Sequence, residues 1–166
     1  MASREAVRAR PGPLLKVEAE KAQRLLQQSV RLVADLPKDS SADVVWVQGA
    51  SELLVRTGSI GLDCREGLIT VTLTVTCDQL REDALIQVPF AVGTDRAPAG
   101  LVMSALTRPV GVDLVIDEWS SALTAFAWEA VLHLAQTLCA QEGAFVPASI
   151  AAARGVLLIL PVERRP

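Results

Sequence analysis

The sequence predicts an α+β domain, and three observations carry that prediction. Residues 14–36 repeat apolar positions with helical spacing, residues 44–117 switch to period two, and residues 118–142 form one long, largely apolar helix. Taken in order, the chain predicts an N-terminal amphipathic helix, an antiparallel β-meander of about five to seven strands, the long apolar helix packed on that sheet, and a final buried strand.

The first helix rests on Leu15, Ala19, Ala22, Leu26, Ser29, Val33 and Leu36, which share one face, with Glu20, Lys21, Arg24, Gln27, Gln28 and Arg31 opposite. Pro37 ends it. Ahead of it, residues 1–13 carry Pro11-Gly12-Pro13 and read as a flexible basic arm; residues 14–162 form the domain and 163–166 a charged tail.

In the middle of the chain, Val44–Val47 and Glu52–Arg56 flank the hairpin loop Gly49-Ala50-Ser51. Ser59–Cys64 and Leu68–Cys77 flank the turn Arg65-Glu66-Gly67. The strand at 68–77 has the cleanest alternation: Ile69, Val71, Leu73, Val75 and Cys77 point one way, and Thr70, Thr72, Thr74 and Thr76 the other. Leu85–Val92 follows, with Pro89 marking an edge or bulge. Leu101–Leu106 and Val110–Asp117 are expected to pair around Thr107-Arg108-Pro109, although Val115 breaks the polar side of the second. Asp117 is placed to cap the long helix and Gly143 to end it. Phe145–Arg154 reads as a connector, and Val156–Leu160 as a strand buried on both faces.

Composition narrows the function classes. A chain of 166 residues with 51% hydrophobic content can build one real core. Residues 1–38 carry a local balance of +4 and the remainder −7. With no Tyr, three Trp and three Phe, the chain lacks the aromatic platform on which single-strand nucleic-acid binders stack bases, so no nucleic-acid partner is expected. The three cysteines, Cys64, Cys77 and Cys139, make an odd count in a core-forming chain and do not form a disulfide framework. Residues 1–13 contain no signal-like apolar stretch, and a cytoplasmic location is expected. A membrane span through 122–140 is disfavoured, because Glu129 near its centre costs roughly 2.5–3.5 kcal/mol on insertion scales.

Motifs for chemistry are missing. Thr57-Gly58-Ser59-Ile60-Gly61 lacks the first glycine of a nucleophile elbow. A single histidine excludes every two-histidine metal set, and no CxxC pair exists. Neither GxxxxGK[ST] nor GxGxxG occurs. No catalytic residue, metal or cofactor is assigned, and the chain is not expected to be an enzyme. The polar constellation on the long helix is Glu129 and His133, spaced i,i+4, a candidate pH-sensitive pair or a plain polar stripe.

The apolar arc of that helix spans about 200°, wider than the stripe of somewhat over 100° that a helix on one sheet needs. Either the first helix covers the excess or a second copy does, through Trp119, Phe126, Trp128 and Leu132. The threonine face (Thr70, Thr72, Thr74, Thr76) is a second candidate interface, being flat and uncharged. The function expected is therefore a non-enzymatic, self-associating protein-binding domain, of adaptor, chaperone-like or assembly type, with a dimer favoured. The alternative is a binder of a small apolar ligand in a cavity between sheet and helix.

Overall fold

A computed structural model describes residues 9–97, 99–100 and 108–164. It is α+β, with antiparallel sheets built from seven strands and with two helices among the described residues. The order is β1 (Leu15–Glu18), α1 (Ala19–Val33), β2 (Val44–Gln48), β3 (Ser51–Arg65), β4 (Leu68–Thr76), β5 (Ala84–Ala91), α2 (Asp113–Gln141), β6 (Phe145–Ala153) and β7 (Val156–Glu163). The strands make a four-stranded sheet, β2-β3-β4-β5, and a three-stranded sheet, β1-β7-β6.

The two sheets are stitched together at their hairpin ends. Gly67 donates its N–H to Ala152 O, Gly155 donates to Cys64 O, and Gly93 forms a parallel bridge with Ala151. The expected meander is thus two hairpin systems joined by turns rather than one continuous sheet.

Four expectations change. The helix expected from Leu14 begins only at Ala19, because Leu15–Glu18 alternates and pairs with Ile159–Val156 of β7. Both periods fit Leu15 and Ala19, and the partner strand decides between them. Arg10–Gly12 is not a free arm: Gly12 N–H donates to Pro161 O and Glu163 N–H to Arg10 O. The segment Val110–Asp117 contributes no strand beyond the bridge of Val110 with Gln87, and α2 already starts at Asp113. Val115, the residue that broke the strand alternation, is fully buried, as one helical turn with Trp119 requires. Lastly, Phe145–Arg154 is not a connector but largely β6, in which a register shift between Pro147 and Ser149 accommodates the proline. Its alanines are weak strand formers, and pairing with the strongly apolar β7 imposes the strand. The expected strand 101–106 lies outside the described residues.

Gly111 allows the chain to cross β5 on the way into α2. A Cβ there would lie 2.4 Å from Ile86 Cδ1 and 2.9 Å from Leu85 O, so no other residue fits without displacing the strand. Among the described residues no helix is long and apolar enough to cross a membrane.

The core lies between the helices and the inner faces of both sheets. Leu26 and Val30 of α1, Leu123 and Leu134 of α2, Ile69 and Leu73 of β4, and Ile159 of β7 belong to one contiguous buried cluster. On burying a Leu or Ile side chain, about 1.5–3 kcal/mol is gained.

Candidate protein-binding surface

The wide apolar arc of α2 is covered within the chain. Trp119, Phe126 and Trp128 are 5, 7 and 7% exposed. Trp46 of β2 packs against Trp119 at 6.2 Å between ring centroids and edge-on against Phe126 at 5.1 Å, while Phe90 of β5 meets Trp128 at 5.1 Å. α1 lies along the remaining side of the arc, and Leu132 is half-buried. Three of the four helix residues considered for an interface therefore serve the core of their own chain.

His133 also looks inward. Its Nδ1 is 3.1 Å from Oγ of Ser29, a serine only 4% exposed on α1, so the pair ties the two helices together. Glu129 is exposed and makes no ion pair or hydrogen bond with His133. The ring contacts a buried serine of the other helix rather than the carboxylate one turn away. A serine so enclosed cannot present its oxygen to a substrate, which removes a Ser–His reading of the contact.

The four-stranded sheet is different. Its inner residues, Leu53, Val55, Ile69, Val71, Leu73, Val75, Ile86 and Val88, are at most 1% exposed. Its outer face carries Thr70, Thr72, Thr74 and Thr76, all half-buried, and neither helix lies on it. The cross-strand register builds rows on this face: Val45–Leu54–Thr76, then Arg56–Thr74–Leu85, then Gly61–Thr72–Gln87. Exposed apolar side chains interrupt the hydroxyl surface, with Val45 at 53%, Val47 at 66% and Leu85 at 64%. A pocket lined by Val45, Glu52, Leu54, Thr76, Cys77 and Asp78 dents the face at its β2 side, with a volume of about 200 Å3.

The charges on this face are mostly neutralised locally. Arg56 donates to Asp43 at 3.0 Å and to both carboxylate oxygens of Asp83 at 3.2 and 3.3 Å. The hydrogen bonds it donates to Asp83 first, and then to Asp43, hold the guanidinium even more firmly in its charged form. Arg65 pairs with Asp63 at 3.0 Å. Thr57, at the β3 irregularity, donates its hydroxyl to Ala42 O and its N–H to Asp43, so the strand entering β2 is pinned to β3.

β2 is the end strand of this sheet, and among the described residues no backbone hydrogen bond reaches its outer side. Its sequence, Val44-Val45-Trp46-Val47-Gln48, holds no charge and no proline. Natural edge strands are usually protected by lysine, proline or a bulge, and this one has none of these. The absence of charge between Val44 and Gln48 is legible in the sequence, but edge position is a property of strand order, which the pattern leaves open.

Other chemistry finds little footing. Cys64 is buried, and desolvation, helped by the charge of Asp63, pushes its thiol up to about 11. Burial likewise raises Cys139. Both are poor nucleophiles. Among the described residues no group of three or more His, Cys, Asp or Glu is arranged to hold a metal ion. One contiguous buried cluster joins helices and sheets, and an apolar pocket lies on the opposite side of the three-stranded sheet. Leu14, Thr94, Asp95, Ser149, Ala151, Leu158 and Leu160 line it. Its volume of about 190 Å3 is below the roughly 300–1,000 Å3 usual for a small-molecule site. Comparison of the chain with protein-family models, with curated proteins and with solved structures gives no match.

Proposed function

We propose that this chain is a non-enzymatic, self-associating protein-binding domain of the cytoplasm, of adaptor, chaperone-like or assembly type, and that it binds through the β2 side of its four-stranded sheet. The observation that carries this reading is an uncharged edge strand, unpaired on its outer side among the described residues and continuous with an apolar and hydroxyl-rich outer face. Such an edge offers backbone donors and acceptors to an incoming strand, and the neighbouring side chains supply apolar contact. The packed interior of α2 shifts the self-association surface away from Trp119, Phe126 and Trp128 and onto the sheet.

Light scattering after gel filtration, run across a concentration series, tests the reading. The apparent mass is expected to rise from one copy towards two as concentration increases, and amide exchange to slow over 44–48 in step with it. A mass of one copy at every concentration, with unchanged exchange, counts against self-association.

A further inference from the structure

Resting on that reading, we infer that β2 pairs antiparallel with β2 of a second copy about a two-fold axis at Trp46, in the register Val45 to Val47 of the partner copy. The hairpin geometry selects the backbone groups. Gln48 and Ser51 close a two-residue turn whose first position is Gly49 at φ 61, a left-handed conformation suited to glycine. In such a turn the closing pair is hydrogen-bonded, so Gln48, Trp46 and Val44 direct their N–H and C=O groups to β3. The N–H and C=O groups of Val45 and Val47 therefore face outward. Two copies can satisfy four outward donors with four outward acceptors, and centring on Trp46 is the register that pairs all five residues of β2.

Self-complementarity argues for a second copy over an unrelated strand. In this register Val45 meets Val47 on the outer face, extending the row that already contains Leu54. No residue of β2 is charged, so no like charges are opposed. Glu52 lies one strand further in, beside Val47, while the nearest acid along the strand, Asp43, falls opposite Gly49 and is held by Arg56. Its counterpart in the other copy lies about 20 Å along the strand, at 3.4 Å per residue, well beyond the screening length of about 10 Å. Trp46 stays anchored on Trp119 and Phe126, which fixes the edge in an extended form before pairing. A five-residue edge makes a small interface, and the expected dissociation constant is on the order of micromolar.

The register is tested by cysteine pairing in full-length chain carrying C77A. One preparation carries V45C and another V47C, and the two are oxidised separately and as a mixture. A hydrogen-bonded antiparallel pair places its Cα atoms about 5.5 Å apart, within the disulfide range, whereas like positions across the axis lie about 8–9 Å apart. The mixture is expected to give at least about fivefold more cross-linked dimer than either preparation alone, a ratio that near-exclusive pairing at this geometry implies. A companion variant, V45K with V47K, is expected to stay mainly monomeric at about 100 μM, roughly a thousand-fold weakening, with its far-UV spectrum unchanged. Equal cross-linking in all three samples, or a dimer that survives the two lysines, overturns the register and leaves self-association standing. A wild-type chain that is monomeric at about 100 μM overturns both. The cysteine result decides the matter even where the lysine variant loses its fold.

Discussion

The two sheets of this chain solve the problem of their second face in opposite ways. In β7 of the three-stranded sheet, Leu157, Leu158 and Ile159 are consecutive and all at most 4% exposed, so this central strand is buried on both sides, and the second side opens only at the pocket of about 190 Å3 beside Leu158 and Leu160. In β4 of the four-stranded sheet, every second residue is a half-buried threonine and the residues between are fully buried. One strand is written without alternation and the other with it, and each pattern matches its surroundings. The difference teaches where the wider surface available to a partner lies: a sheet whose central strand is buried on both sides is mainly a core element, while a sheet with an open face and an unprotected edge can bind.

The largest expected contrast is in stability. Ile159→Ala removes a fully buried side chain from the closed sheet and is expected to lower unfolding free energy by about 2–5 kcal/mol. Val47→Ala on the open edge, at 66% exposure, is expected to change it by less than about 0.5 kcal/mol. Urea unfolding at a concentration where the chain is monomeric measures both. Equal losses would mean that the edge is packed as tightly as the interior, and the comparison would break.

The contrast extends to the cysteines, where it becomes a dependence on pH. Cys64 and Cys139 are buried, whereas Cys77, at the end of β4, is half-buried. A thiol reagent at pH 8 is expected to modify Cys77 quickly and the other two only at the rate of opening. The sign of the stability effect follows from the raised value of Cys64. The unfolded chain loses this proton above about pH 9, and the folded chain keeps it to about 11, so the group's contribution is complete below 9 and is lost as pH rises through 11. Denaturation midpoints measured between pH 8 and 11 should fall with pH, and less steeply in C64A. Two thiols reacting quickly at pH 8 would show that the sheet–helix interior admits reagent.

How much of this was legible depends on whether one residue or a partner decides the outcome. The alternation of β4 needs no partner to be read, since Ile69 to Thr76 carries it alone. The start of α1 was not legible because Leu15–Glu18 supports helix and strand equally until β7 is known. The Asp113 start of α2 was hidden for a similar reason: Val112, Leu114 and Ile116 satisfy period two, and only the burial of Val115 separates the cases. On the surface, the threonines could be found by pattern. Val45 and Val47 could not, since exposure there follows from β2 being last in its sheet. The His133–Ser29 contact spans two helices 104 positions apart in sequence, and no local spacing encodes it.

The smallest expected effect sharpens the comparison furthest, because it asks what the threonine face is for. Thr72→Val keeps the branched shape that suits a strand and removes only the hydroxyl, for which no hydrogen bond partner is found among the described residues. Thr72 sits between Gly61 and Gln87 on β4, two strands in from the β2 edge, and the Cβ of Thr72 is 3.2 Å from where a Cβ on Gly61 would stand. If the face is simply solvated, the change should shift stability by less than about 0.5 kcal/mol and leave the monomer–dimer balance untouched. That is the outcome expected here, since strand pairing at β2 uses the row through Val45 and Leu54 and not the row through Thr72. Unfolding midpoint and apparent mass, measured on the same samples, check it. A dimer strengthened several-fold by Thr72→Val would mean that the face itself, and not the edge alone, enters the contact. The open sheet would then bind by stacking rather than by extension.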